Sequence, residues 1–113
     1  MAFSASTEIT NNDIAKITLS GELDASVAAV FRGEIEKAAE QSAKRLVLLL
    51  SDLSYIASAG LRVLIFAKQK MGNDVDIFVV GAQEQVVDTL EMTGFQYSVT
   101  LLDEYDASVI ETL

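Results

Sequence analysis

The sequence has 113 residues and carries 8 Lys and Arg against 17 Asp and Glu, which gives a formal net charge of −9 at pH 7. It contains no His and no Cys, so it excludes Ser-His-Asp and Cys-His catalysis, disulfides, and zinc, haem or iron–sulfur sites built on those ligands. The acidic balance also disfavours direct binding to nucleic acid or to an anionic membrane surface.

The first third of the chain predicts a β-hairpin followed by a helix. Residues 3–9 and 14–19 roughly alternate between apolar and polar on either side of Asn11-Asn12, which predicts two antiparallel strands and a short turn. After Gly21-Glu22-Leu23-Asp24 the apolar spacing becomes helical, with Asp24 as the candidate N-cap. The predicted apolar face of this helix consists of Val27, Val30, Phe31, Ile35, Ala38 and Ala39.

The middle third predicts a buried strand, a loop and a second helix. The unbroken apolar run at residues 46–50 is typical of a central strand that is buried on both faces. Residues 51–57 are predicted as a loop and residues 58–71 as a helix that ends at Gly72. One face of that helix is predicted to contain Leu61, Leu64, Ile65 and Lys68.

The last third predicts a strand at 75–80, a helix at 83–92 ended by Gly94, and a strand at 97–102. Val86, Val87 and Leu90 are predicted to face inward, and Asp103 to cap a last helix carrying Val109, Ile110 and Leu113. The resulting order, ββαβαβαβα, predicts an α/β domain. We expect a mixed, mostly parallel sheet of about five strands with four helices, and the N-terminal strand antiparallel at one side.

Charge is unevenly distributed along this predicted fold. Residues 1–70 contain eight acidic and eight basic residues, whereas residues 71–113 contain nine acidic residues and no basic one.

No segment has the pattern of a signal peptide or the length of a membrane span. We therefore expect a cytoplasmic protein, with a single domain over residues 1–113.

The junction between the central strand and the second helix carries the most informative side chains. Ser58 is followed by Ala59 and Gly60, and small residues at a helix start allow another backbone or a ligand to approach closely. A serine hydroxyl there lies near backbone N–H groups that favour an added phosphate. The ordinary alternative is that Ser58 is an N-cap and that the small residues only permit tight packing of helix on sheet.

These residues resemble a known family. Ser58-Ala59-Gly60-Leu61, preceded by Asp52-Leu53-Ser54, is similar to the phosphorylation loop of the STAS-domain anti-sigma-factor antagonists, which typically reads Asp-Ser-Ser-Gly-Leu. Gly21-Glu22-Leu23-Asp24 matches the other recurrent motif of that family. Length, element order and motif spacing fit along essentially the whole chain, so the resemblance implies a STAS-like single domain.

The resemblance also implies a function. In that family the unphosphorylated antagonist sequesters an anti-sigma factor that is also a serine kinase of the histidine-kinase-like ATPase type; phosphorylation breaks the complex, and a serine phosphatase restores it. By resemblance, Ser58 is the phosphoacceptor of a bacterial, non-enzymatic regulator of transcription that needs no cofactor. The size of the chain favours a monomer, and its hydrophobic content would permit a weak dimer. The implied partner-binding face consists of Asp24, Ala57, Ser58, Ala59, Gly60, Leu61 and Arg62.

The loop departs from the family pattern at two positions. Ala57 stands where the family usually has Asp, and Ala59 where it often has a second hydroxyl residue, which leaves Ser58 as the sole acceptor in the loop. Arg62, Lys68 and Lys70 follow on the same predicted helix. They form either a solvated helix face or a cationic rim that steers an acidic partner, for which Arg62 is the best candidate.

Other functions fit parts of the sequence. A STAS-type module that regulates a phosphatase, a cyclase or another output remains the main alternative. A response-regulator receiver would need a Lys after its last strand, and no Lys follows Lys70. A serine hydrolase lacks a His base and the Gly-x-Ser-x-Gly elbow. Asp74 and Asp76 form a possible carboxylate pair for Mg²⁺ or Ca²⁺, but charges that flank a buried strand usually face solvent.

Overall fold

A computed structural model describes residues 3–10, 13–72 and 75–111. The predicted order ββαβαβαβα is confirmed. The strands are β1 (Ser4–Ile9), β2 (Ile14–Leu23), β3 (Arg45–Ile56), β4 (Asp76–Val80) and β5 (Thr100–Leu102). The α-helices are α1 (Ala28–Glu40), α2 (Ser58–Met71), α3 (Glu84–Thr93) and α4 (Ala107–Ile110), and a 3₁₀ helix spans Phe95–Ser98. Within the described residues, no helix is long and apolar enough to cross a membrane.

The five strands form one sheet whose spatial order follows the chain, from β1 at one edge to β5 at the other. β1 pairs antiparallel with β2, and the remaining neighbours are parallel. The predicted antiparallel strand at one side is therefore confirmed. The predicted turn at Asn11-Asn12 lies outside the described residues.

β3 is the central strand, and its apolar run is buried on both faces as predicted. Leu46, Leu48 and Leu50 join the main core, which α1, α2 and α3 cover on one face of the sheet. Val47 belongs to a smaller cluster on the other face. The buried members of that cluster are Ile14, Val47, Phe78, Val80 and Ile110 of α4.

The short helix α4 is held against the sheet by Arg45. The Nη1 atom of Arg45 donates hydrogen bonds to the carbonyl oxygens of Val109 (3.2 Å) and Ile110 (2.6 Å). Its Nε lies 3.6 Å from a carboxylate oxygen of Asp76, and its guanidinium lies 5.8 Å from the centre of the Phe78 ring. One largely buried cation thus fixes the C-terminal segment over the second face.

Strands β2 and β3 are longer than predicted. Ser51–Ile56 continue β3 instead of forming a loop, because they pair with the extension of β2, as in Ser20↔Asp52 and Leu23↔Ile56. The pairing shifts register twice, between Thr18 and Ser20 and between Gly21 and Glu22. These irregularities remove the two-residue alternation by which the sequence would have revealed a strand.

Two predicted N-caps are wrong. Val27, and not Asp24, precedes α1, because Asp24 accepts hydrogen bonds from the backbone N–H and hydroxyl of Ser26 and so forms a separate turn before the helix. Asp106, and not Asp103, caps α4 by accepting from the Ser108 amide at 3.0 Å. The predicted helix ends at Gly72 and Gly94 are confirmed.

Three apolar residues named on the predicted helices are exposed, among them Val30 of the apolar face predicted for α1. Val30, Ile65 and Val109 are 51%, 47% and 43% exposed. Glu34, one turn after Val30 on α1, is buried instead. Its carboxylate accepts hydrogen bonds from Thr7 Oγ1 (2.7 Å) and Lys37 Nζ (2.8 Å). The spacing of apolar residues cannot predict the burial of a polar residue, which depends on the hydrogen bonds that the residue makes in the folded protein.

The C-terminal region shows two more differences. The predicted strand at 97–102 begins only at Thr100, because Phe95–Ser98 form the 3₁₀ helix after Gly94. Val87 is half-buried beside the buried Val86 and Leu90. Leu113 lies outside the described residues.

Candidate functional site

Two segments meet where the parallel strands β2 and β3 end, at the same end of the sheet. Leu23 and Ile56 are register partners at the last pair of these strands. The amide of Ala57 then donates a 2.8 Å hydrogen bond to the carbonyl oxygen of Leu23. The structure therefore brings the segment of Asp24 beside the segment that begins α2 at Ser58.

Gly60 determines how closely α2 approaches these strands. A Cβ atom at this position would lie 2.8 Å from Leu23 Cδ2 and 2.9 Å from Ile56 Cγ1, closer than real Cβ atoms come to neighbouring carbon. Packing therefore requires the absence of a Cβ at this position, which lets the start of α2 lie close against the end of β2.

Ser58 is the first residue of α2, and its side chain is exposed. The N-cap is Ala57, which has extended backbone angles (φ −90°, ψ 168°) and no side chain to cap the helix. The alternative that Ser58 serves as the N-cap is therefore wrong. Among the described residues the Ser58 hydroxyl has no hydrogen-bond partner, so it is accessible and uncommitted.

Asp24 carries a negative charge in the segment that lies beside the start of α2. Its carboxylate accepts from the Ser26 hydroxyl and from the Ser26 amide at 2.9 Å. These hydrogen bonds, the one from the hydroxyl first, hold the pKa of Asp24 below its ordinary value. The group is therefore ionised at neutral pH, and it is exposed.

The seven predicted partner-binding residues differ in accessibility. Asp24, Ser58 and Arg62 are exposed, and Ala57 and Ala59 are half-buried. Gly60 and Leu61 are buried and pack against the core. The exposed and half-buried residues are accessible at the surface, whereas Gly60 and Leu61 support that surface from the core.

A groove between α1 and α2 includes in its lining Ala59, the residue that follows Ser58. It has a volume of about 240 Å³ and contains two arginines and no carboxylate. The guanidinium of Arg32 lies 4.2 Å from the centre of the Phe66 ring. The groove is lined by Ala28, Ala29, Arg32, Ala59, Arg62, Val63 and Phe66.

Sequence reasoning missed the α1 side of this groove. Ala28, Ala29 and Arg32 lie about thirty positions before α2 in the chain, and only the packing of the two helices brings them next to Ala59. The available signal was the pair of small residues in the first turn of each helix, Ala28-Ala29 in α1 and Ala59-Gly60 in α2.

Of the three basic residues considered for a cationic rim on α2, only Arg62 has, within the part of the chain that the structure describes, a free charged group near Ser58. Lys68 donates a 2.9 Å hydrogen bond to the carbonyl oxygen of Val75, so its ammonium group supports the chain after α2. Lys70 is exposed in the last turn of the helix, at the end away from Ser58. Arg62 is the basic residue of α2 that borders the groove.

The carboxylate-pair hypothesis gains no support from the fold. Asp76 lies beside Arg45, as described above, and Asp74 is outside the described residues. Over residues 3–10, 13–72 and 75–111, no group of three or more acidic side chains is arranged to hold a metal ion.

Comparisons with known proteins place this geometry in context. The family model for the STAS domain matches residues 6–108. An anti-sigma factor antagonist from Mycobacterium paratuberculosis superposes with a TM-score of 0.86 at 21% identity, covering 98% of this chain and 96% of that one. A putative anti-sigma factor antagonist from Thermotoga maritima gives 0.81 at 20% identity, covering 95% and 92%.

A further similar structure is the anti-sigma factor antagonist SpoIIAA in its unphosphorylated form. It gives a TM-score of 0.78 at 18% identity and covers 96% of this chain and 94% of that one. No curated protein sequence matches the chain. At these identities the solved structures establish the likeness of fold.

Proposed function

This chain belongs to the STAS domain family, and from that membership we propose that it is an anti-sigma-factor antagonist whose partner binding is switched by phosphorylation of Ser58. The observation that carries the proposal is the exposed, uncommitted hydroxyl of Ser58 at the point where the two motif segments meet. It is supported by the likeness of fold to SpoIIAA, which is known in both an unphosphorylated and a phosphorylated form.

The proposed partner is an anti-sigma factor that is also a serine kinase of the histidine-kinase-like ATPase type. The contact surface consists of Asp24, Ala57, Ser58, Ala59 and Arg62, with Gly60 and Leu61 positioning it from below. Such a protein acts in the cytoplasm of a bacterium and performs no catalysis itself.

In the proposed modification the kinase transfers the terminal phosphoryl group of ATP to Ser58. The Ser58 Oγ forms the new bond to phosphorus, the hydroxyl proton leaves, and ADP departs. A serine phosphatase reverses the change by hydrolysing the phosphate ester.

The switch follows from local physical chemistry. The phosphate adds a charge of about −1.5 to −2 at neutral pH at an exposed position. In a closely packed interface that charge loses its water, and this loss opposes binding. Within the free protein the phosphate remains solvated, because Ser58 is on the surface. Binding therefore changes without refolding of the domain.

The test of this function is phosphorylation by the cognate kinase. Incubation with kinase and ATP should add one phosphate, and peptide mapping should place it on Ser58. Ser58→Ala should abolish incorporation, whereas Ser54→Ala, which removes a neighbouring hydroxyl that donates to the Gly21 carbonyl oxygen at 3.1 Å, should not. Phosphate on Ser54 or Thr100 would contradict the assignment.

Partner binding gives a second measurement. Ser58→Ala should hold the kinase persistently and Ser58→Asp weakly, so equal affinities for the two variants would contradict the switch. If the protein held by Ser58→Ala is instead a phosphatase or a cyclase, the chain regulates another output through the same surface.

A further inference from the structure

Arg62 stands in a specific relation to Ser58. The two residues are four positions apart on α2, and on an α-helix such side chains are neighbours, with Cβ atoms about 5–6 Å apart. Arg62 is exposed, and within the described residues it makes no ion pair or hydrogen bond. Its guanidinium is therefore free to move along the helix surface towards Ser58.

Nearby cations are less suited to reach this serine. Arg32 borders the same groove, but its guanidinium is stacked on the Phe66 ring. Lys68 is engaged by the Val75 carbonyl oxygen. Lys70 lies twelve residues from Ser58 on the helix, which corresponds to about 18 Å along its axis.

We propose that Arg62 binds the phosphate of phosphorylated Ser58 and is thereby withdrawn from the partner-binding surface. The inference rests on the proposed function, because it concerns the phosphorylated form. A guanidinium pairs with phosphate through two parallel hydrogen bonds, and an anion four residues before a cation is the favourable order on a helix.

Pairing of Arg62 with the phosphate would mean that phosphorylation changes the charge of the groove in two ways. Before modification the groove offers two arginines and no carboxylate, which suits an acidic side chain of the partner. After modification the site carries an added anion, and one of the two cations is occupied by it. Arg62 thus links the chemistry at Ser58 to the charge of the surface beside it.

The test is an NMR titration of the full chain with phosphoserine placed at position 58 during synthesis. The ³¹P signal follows the second ionisation of the phosphate, whose ordinary pKa is about 6. We expect its midpoint to lie about 0.5 pH unit lower than in the Arg62→Gln variant. This difference should disappear in about 1 M NaCl, which screens exposed charges. The Arg62 Nε–Hε resonance should also shift when Ser58 carries phosphate.

The matched control is Lys70→Gln, which removes the same charge from the same helix far from Ser58. It should leave the ³¹P midpoint within about 0.1 pH unit of the unsubstituted phosphoprotein, because solvent and salt screen a charge at that distance. Equal midpoints for Arg62→Gln and the unsubstituted phosphoprotein, or equal shifts in the two Gln variants, would overturn the proposal. Because the phosphate is installed without a kinase, this outcome is separate from failure of a kinase to modify Ser58, which would count against the proposed function alone.

Discussion

The carbonyl oxygen of Leu23 accepts a hydrogen bond from the amide of Ala57 at 2.8 Å, and the Leu23 side chain fills the space above Gly60. The end of β2 is therefore joined to the start of α2 by both a backbone contact and side-chain packing. The relative position of Asp24 and Ser58 is set by these two contacts.

Gly60→Ala should destabilise the protein. The new methyl would overlap Leu23 and Ile56, and overpacking of this kind costs about 1–3 kcal/mol, against a gain in helix propensity of about 0.5–1 kcal/mol. Urea unfolding monitored by circular dichroism measures the change. Gly33→Ala is the control, because a Cβ there meets nothing within 4 Å, and it should stabilise α1 by about 0.5–1 kcal/mol. Equal effects of the two substitutions would contradict the packing role of Gly60.

Ser58→Ala and Ser58→Asp should both keep the stability of the unsubstituted protein to within about 0.5 kcal/mol, because the side chain is exposed and no hydrogen bond to it is lost. Thermal unfolding of the two variants measures this. A large loss in either one would show that Ser58 supports the fold, and differences in partner affinity would then no longer report on the interface.

Arg45→Ala should release the C-terminal segment. It removes two hydrogen bonds from a charged donor to the carbonyl oxygens of Val109 and Ile110, which predicts a loss of about 2 kcal/mol. Hydrogen exchange should accelerate most at the amides of residues 109–111. Lys44→Ala, at the exposed neighbouring position, is the control and should change neither stability nor exchange. Unchanged protection in Arg45→Ala would show that apolar packing of Ile110 alone holds α4.

Glu34 should make stability depend on acid pH. Burial raises the pKa of this carboxyl, but the hydrogen bonds from Lys37 and Thr7 and the charge of Lys37 outweigh burial and hold the pKa below its ordinary value of 4.5. Since the folded pKa is the lower one, the contribution is present above the unfolded pKa and is lost as pH falls through the folded value.

The variant that tests this is Glu34→Gln, which we expect to be about 1 kcal/mol less stable than the unsubstituted protein at pH 7. The gap should narrow as pH falls below about 4.5. Glu36→Gln, at an exposed position on the same helix, is the control and should leave the free energy of unfolding at pH 7 within about 0.5 kcal/mol of the unsubstituted protein. Urea unfolding at several pH values measures both, and a gap for Glu34→Gln that is independent of pH would contradict the role of the ionised carboxylate.

Much of the fold could be predicted because its elements are periodic. The run at residues 46–50 revealed the central strand, and helical spacing combined with glycine revealed the ends of α2 and α3. The extension of β3 to Ile56 could not be predicted, since its pairing with β2 is irregular and the spacing of Leu53 and Ile56 is not that of a strand.

The candidate site could be predicted in part. The segments of Asp24 and Ser58 were expected to lie together by resemblance, and the structure places them side by side. The contribution of Arg32 to the groove could not be predicted, because it depends on how two helices separated in the chain pack against each other. Burial of Gly60 and Leu61 likewise follows from packing and not from the motif.

The face of the sheet that α1, α2 and α3 cover carries part of the uneven distribution of charge along the sequence. On that face α3 has three acidic residues and no basic one, whereas α2 has three basic residues and no acidic one. An acidic segment that approaches this face is therefore attracted by α2 and repelled by α3.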